Sequence, residues 1–240
     1  MAPKSQTRTL QQTLIDDDHP PIQLQGEVSE SNLSKELFDD FFRDCPSPRN
    51  VGLAPGHTSK GNLTHLFLAV GTRVMIIQFH AKGKGAKAYE RREVLSTEVL
   101  CNPDVTLVAF DLDKLAIALF VDQNMRILNG VDLQDACRAA DRSPLTTIQF
   151  AVGDRAPVLQ ANVNSVFATT FYDAKRTTNL AFQAWVAHHV VGYETMEERV
   201  RDAKRINTRD IDEIVSRCSV RASIFPSNSI SRHLASDCAQ

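Results

Sequence analysis

The sequence predicts one α/β domain built on a mixed β-sheet with helices on both faces. Strand-like and helix-like apolar patterns alternate along most of the chain, with no internal repeat. Two apolar runs, Leu63–Val70 and Arg73–Phe79, are separated only by Gly71-Thr72 and read as a hairpin. A chain of 240 residues, 42% of them hydrophobic, can bury one sizeable core.

The elements follow in order. Residues 1–30 are rich in Gln, Thr and Asp around Pro20-Pro21, and are expected to form a mostly disordered leader. From Ser31, the residues Leu33, Leu37, Phe41 and Phe42 recur at helical spacing; Ser31 or Ser34 can cap this helix, and Pro46 and Pro48 end it. Asn50–Leu53 is a short strand and precedes the hairpin. A Gly/Lys loop, 82–87, leads into a helix from Tyr89 to Leu100. A strand over Val105–Phe110, a helix over Asp113–Phe120, a strand over Arg126–Val131 and a helix from Leu133 to Ala140 come next. The stretch 145–178 reads neither way. Asn179–Tyr193 is a strongly apolar helix and Thr195–Arg205 a charged one. The domain is expected to span 31–218, followed by a flexible tail, 219–240, that contains six serines.

Net charge is −2, so any nucleic-acid surface has to be a local patch. The five cysteines lie far apart, with no C-x-x-C pair, and read as reduced thiols in an intracellular protein. Residues 1–18 lack an apolar run and carry Asp16-Asp17-Asp18, unlike a secretory signal or a transit peptide. No stretch has the length of a membrane span. The expected compartment is cytoplasm or nucleus, with no membrane partner.

Three segments carry a resemblance. Asn50-Val-Gly-Leu-Ala-Pro-Gly56 precedes the paired strands. Leu107-Val-Ala-Phe-Asp-Leu-Asp-Lys-Leu115 is followed by Val131-Asp-Leu-Gln-Asp135. Leu180-Ala-Phe-Gln-Ala-Trp-Val-Ala187 lies on the late apolar helix. In order and spacing they resemble the three motifs of DEDD-type 3′–5′ exonuclease domains of the ribonuclease D/Werner branch, over about residues 31–195. The resemblance implies a ribonuclease H-like fold. It also implies a reaction in which four carboxylates hold two divalent ions about 3.5–4 Å apart.

This chain departs from that pattern where the chemistry needs it. The first Asp position is Ala54 and the Glu position is Gly56, and neither offers a side-chain ligand. The second Asp corresponds to Asp111, with Asp113 nearby. The third is Val186, which the alignment places facing a pocket that still opens to solvent, and the water-orienting Tyr is Phe182. Mg²⁺ demands oxygen ligands, so each missing carboxylate is a missing metal contact. No metal or cofactor is expected. Read without the resemblance, Ala54-Pro55-Gly56 is a turn, Asp111 caps a helix, and Phe182 and Trp185 are core residues.

The expected function is that of a pseudo-exonuclease. As the resemblance implies for degenerate relatives, it would act as an adaptor in RNA processing or small-RNA silencing, through a protein partner or a homodimer. Partner-binding candidates are Phe38, Phe41 and Phe42, since three phenylalanines in five positions spread around more than one helix face. Weak RNA contact is assigned to Lys82, Lys84, Lys87, Arg91 and Arg92. The competing reading is an active exonuclease in which Asp104, Asp111, Asp113, Asp132 and Glu194 form a rearranged site; a third is a structural subunit without nucleic-acid contact. His188-His189 are not expected to share a metal, because adjacent helix positions do not share a face. Arg199, Arg201, Lys204 and Arg205, mixed with acidic residues, read as a solvated face.

Overall fold

The structure is a computed structural model that describes residues 7–45, 47–80, 86–138, 141–168, 171–173 and 177–208, with backbone alone for 86–90. At its centre, β3 (Arg49–His57), β4 (Leu63–Val70) and β5 (Arg73–Gln78) form an antiparallel meander. β6 (Val105–Ala109) adds parallel to β3, and β7 (Gly130–Asp132) adds parallel to β6. β2 (Ile22–Ser29) pairs parallel to β5, and β1 (Arg8–Leu10) closes that edge antiparallel to β2. The sheet order is β1-β2-β5-β4-β3-β6-β7. The five strands from β3 onward make the ribonuclease H-like sheet that the resemblance implies.

Alternation along β4 shows how both faces are filled. Phe67 and Ala69 point into one apolar cluster and Leu66 and Leu68 into the other, as a two-residue period requires. The first cluster receives α7 (Thr177–Val190), together with α5 (Pro144–Val152) and α6 (Gln160–Phe167). The second receives α1 (Lys35–Phe41), the end of α2 (Ala86–Leu95) with the π-turn Ser96–Leu100, and α3 (Leu112–Gln123). A short α4 (Leu133–Cys137) follows β7, and α8 (Glu194–Asp202) ends the helical series. Helix α7 sits directly on β3 because Gly52 has no side chain: a Cβ there would lie 2.1 Å from the Ala184 carbonyl oxygen. The β4–β5 turn is made by Gly71 with φ of +56°, a conformation that glycine adopts without steric cost.

The leader does not match its expectation. Residues 8–10 and 22–29 are strands of the sheet, and Leu14, Ile15 and Ile22 between and within them are buried. Gln12 organises the connection: its side-chain oxygen accepts from the Leu14 and Ile15 amides and its amide donates to the Ile15 carbonyl. Polar composition concealed the period-two pattern Ile22, Leu24 of an edge-side strand. The ambiguous stretch resolves into α5, with Pro144 in its first turn, and α6. Of the expected strand over 126–131, β7 takes up only Gly130 and Val131, and α4 covers Leu133–Cys137 of the expected helix over 133–140, whose residues 139 and 140 lie outside the described residues. Residues 209–240, which include the Ser-rich tail, lie outside the described residues. Among the described residues no helix is long and apolar enough to cross a membrane, and Cys45, Cys101 and Cys137 are free thiols.

The three phenylalanines expected to meet a partner are core residues. Phe38, Phe41 and Phe42 are 0%, 0% and 4% exposed. Phe41 meets Phe42 edge to face at 5.2 Å, and the Arg49 guanidinium covers the Phe42 ring at 4.8 Å. Phe42 is the C-cap residue of α1, and its ring packs in the same apolar cluster as Phe38 and Phe41. None is left for a partner.

Candidate functional site

The motif positions converge where β3 and β6 end and α7 crosses them. Ala54 pairs with Phe67 across the β3–β4 ladder and is buried. Phe182, Val186 and Trp185 project from α7 into the same apolar cluster. Phe110, at the end of β6, belongs to it as well and meets Phe167 of α6 edge to face at 4.8 Å. Val186 and Trp185 are both 0% exposed. Trp185 is core, as expected. Val186 does not face a solvent-open pocket; it is enclosed in the apolar cluster, against which Phe167 of α6 also packs.

Gly56 sits opposite His65 in the ladder. A Cβ at this position would come 2.9 Å from the His65 Cβ and 3.2 Å from the Tyr172 Cβ. Residues 171–172 run alongside the end of β3: Phe171 bridges to His57, and the Tyr172 amide donates to the His57 carbonyl at 2.7 Å. The Tyr172 ring stacks on the His65 imidazole, with centroids 3.4 Å apart and planes 13° apart. Its hydroxyl donates to Glu27 Oε2 at 2.6 Å, and His65 Nε2 lies 3.5 Å from Glu27 Oε1. Burial, reinforced by the Glu27 carboxylate, pushes the Tyr172 phenol up to about 12. Burial also lowers His65, against the opposing pull of Glu27. The side chain absent at Gly56 is thus replaced in space by a packed Glu27–His65–Tyr172 group. The sequence signal for it was weak: three residues from distant segments with no motif.

Asp111 remains at the surface. Its backbone is left-handed, with φ of 54°, and its carboxylate holds Lys114 Nζ at 2.8 Å. It does not cap α3. That role falls to Asp132, whose Oδ2 accepts from the Leu112 amide at 2.7 Å while Oδ1 accepts from the Gln134 and Asp135 amides. Burial raises the Asp132 carboxyl above its ordinary range, with these amide bonds opposing.

The alternative carboxylate set is dispersed. Asp104 precedes β6 at the end remote from Asp111, and Glu194 pairs with Arg155 at 3.7 Å. Asp113, Asp132 and Asp135 do come together, but around Arg142, at 3.8, 3.6 and 3.1 Å respectively. Among the described residues no three His, Cys, Asp or Glu side chains are grouped to hold a metal ion. The two-ion centre does not fit the motif positions: Ala54, Gly56 and Val186 supply no oxygen, and Gly56 has no room for a longer side chain.

The basic loop also changes character. Lys82 and Lys84 lie outside the described residues, and of Lys87 only the backbone is described. Arg91 donates to the Leu33 carbonyl. Arg92 does not point to a phosphate: it holds Glu30 at 2.5 and 3.1 Å and donates to the Gln123 and His80 carbonyls. Glu30 is 1% exposed, so this is a buried pair tying the end of β2 to α2. His188 and His189 part as expected. His188 Nδ1 donates to the Asn50 carbonyl and Nε2 accepts from the Gly71 amide, while His189 meets Asp17.

No family model and no curated relative matches the chain. Solved structures do. The Aedes aegypti Nibbler EXO domain is 16% identical with a TM-score of 0.46, covering 88% of this chain and 98% of that one. Brucella melitensis NrnC is 14% identical with a TM-score of 0.45, covering 77% and 90%. The EXD2 exonuclease domain, crystals of which were soaked in Mn and GMP, is 14% identical with a TM-score of 0.38, covering 74% and 94%.

Proposed function

We propose that this chain is a non-catalytic exonuclease-type domain that works as a binding module, an adaptor in RNA processing or small-RNA silencing, with a protein partner or a second copy and with at most weak RNA contact. One observation carries the reading: where an exonuclease would present Asp and Glu on β3, this chain has buried Ala54 and a Gly56 against which Tyr172 and His65 are packed. Function on such a fold lies in its surfaces. With α1 committed to the core, the large apolar side chains left exposed include Ile117 and Val121, one turn apart on α3, and these support a protein partner. RNA contact, if made, rests on Lys82, Lys84 and Lys87.

The enzyme alternative has one observation in its favour, the meeting of Asp113, Asp132 and Asp135. Arg142 already supplies the positive charge there. The decisive experiment is incubation of the purified chain with Mg²⁺ or Mn²⁺ and 3′-end-resolved single-stranded RNA and DNA. The expected result is no shortening. Shortening that is lost in Asp111→Ala or Asp132→Asn would overturn the proposal.

A further inference from the structure

A cavity of about 580 Å³ opens beside β7, lined by α4, the end of α8 and the segment that follows it. That segment is pinned. Ile206 exchanges both backbone hydrogen bonds with Gly130 of β7, at 2.7 and 3.1 Å, and Thr208 is bonded to Ile127 through its amide and hydroxyl. Lys204 and Arg205 therefore lie beyond the end of α8, next to this paired segment, and line the cavity; they are exposed, as expected, but are not on the helix. Arg138 approaches from the other side, at the C-cap of α4, with φ of 57°. Glycine adopts that conformation most readily, so an arginine here bears a backbone cost.

The charges around the cavity are unequally committed. Asp113, Asp132 and Asp135 already share Arg142. Four cations line the cavity: Arg199 lies over the Phe150 ring at 5.6 Å, while Arg138, Lys204 and Arg205 pair with neither a carboxylate nor a ring among the described residues, and partial burial lowers Arg205 from its ordinary value. With net charge −2 over the chain, three uncommitted cations around one concavity are not a by-product of general basicity. Cations that line a concavity and are not paired to a carboxylate suit a phosphate group. The volume is far larger than one phosphate and falls in the ordinary small-ligand range of about 300–1,000 Å³. Asp202, which pairs with no cation among the described residues, and Asp135, whose Oδ1 meets Arg142, also line the cavity and can accept from hydroxyl groups.

We infer that this cleft binds a phosphate monoester carried on a hydroxyl-bearing sugar, with Arg138, Lys204 and Arg205 on the phosphate and Asp135 and Asp202 on the sugar. The free sugar phosphate and the mononucleotide share that chemistry. The inference stands apart from the motif positions and does not depend on whether they are catalytically silent.

The test is isothermal titration of the full chain at low ionic strength with ribose 5-phosphate, AMP, ribose, adenosine and inorganic phosphate. Both esters should bind saturably, and ribose, adenosine and phosphate alone should bind at least about tenfold more weakly, a difference of one phosphate-sized contact or more. The Lys204→Ala/Arg205→Ala variant should weaken the esters by about tenfold or more with its melting temperature unchanged. Lys60→Ala, at an exposed turn elsewhere, should leave binding as it is. Preference for AMP assigns a nucleotide, and equal binding assigns the sugar phosphate. No saturable binding at millimolar ester, equal binding of inorganic phosphate, or indifference to the double substitution would reject the site.

Discussion

Tyr172 lies against the bare backbone of Gly56, so close that a Cβ on residue 56 would stand 3.2 Å from the tyrosine Cβ. The contact joins two segments more than a hundred residues apart, and it closes the end of β3. Gly56→Glu is the substitution that would restore a carboxylate there. It should destabilise by overpacking, in the range of about 1–3 kcal/mol, and it should confer no Mg²⁺-dependent rise in melting temperature. Combining it with Tyr172→Ala, which keeps the Cβ but removes the ring whose Cδ2 would stand 3.3 Å from the new Cβ, should relieve part of the loss, since neighbouring residues couple. Urea melts of the two single variants and the double variant check this; strict additivity would show that the Tyr172 ring is not the obstructing group and leave the His65 Cβ, at 2.9 Å, as the obstruction.

Trp185→Ala is expected to cost about 3–5 kcal/mol, the range for truncating a large aromatic in a core. Val186→Asp should also be severe, because the new carboxylate is buried in an apolar cluster without a partner. The two are separable by pH. A carboxyl whose folded pKa is raised above its unfolded value is neutral in both states at low pH, so its penalty is small there. The penalty grows as pH rises past the unfolded value near 3.9. Val186→Asp should therefore lose more stability at pH 8 than at pH 4.5 relative to wild type, while Trp185→Ala should show no such added slope. A flat Val186→Asp profile would mean that the residue reaches water.

Where the sequence was legible, burial and periodicity agreed. β4 is apolar on both faces and reads as a strand whatever surrounds it, and the strong apolar run on α7 made Trp185 an evident core residue. Legibility failed where polar residues do structural work. Gln12 and Asp17 look like solvated leader residues, yet one braces a buried turn and the other meets His189. Arg92 resembles a phosphate ligand because charge composition does not reveal that Glu30, 62 residues away, is buried opposite it. At the motif positions the missing carboxylates could be read directly. Their replacement by Tyr172, His65 and Phe167 could not, because no short-range pattern links those residues.

His188 should make stability pH-dependent in a defined window. Burial pushes its imidazole down to about 4, while Nδ1 and Nε2 are both engaged with the backbone in the neutral form. A folded pKa below the unfolded value near 6.5 means that the unfolded chain takes up the proton first. Stability from this group is thus present above about pH 6.5 and lost as pH falls toward 4, with a contribution on the order of 2–3 kcal/mol. Folding free energies measured by urea from pH 4 to 8 should flatten in His188→Gln, which keeps a donor and an acceptor but does not titrate. An unchanged slope in that variant would assign the dependence to other groups, with His189, also lowered by burial, the next to replace.

Arg92 and Glu30 distinguish a structural pair from a nucleic-acid contact. The carboxylate is 1% exposed and the guanidinium side chain 15%, and His80 closes the arrangement by donating its amide to Glu30 at 3.0 Å. Removing one partner leaves the other buried and uncompensated, which typically costs about 3–5 kcal/mol. Replacing both by apolar residues of similar size removes both desolvation penalties and is often nearly neutral. Arg92→Ala should therefore be strongly destabilising, and Arg92→Met/Glu30→Leu much less so despite carrying two changes. RNA binding, measured by filter retention across a salt series, should be the same for the double variant as for wild type. If the double variant were as stable as wild type but bound RNA less well, with a shallower salt dependence, Arg92 would be a phosphate contact. If it were no more stable than Arg92→Ala, the destabilisation would come from lost packing and carbonyl contacts rather than from an uncompensated charge.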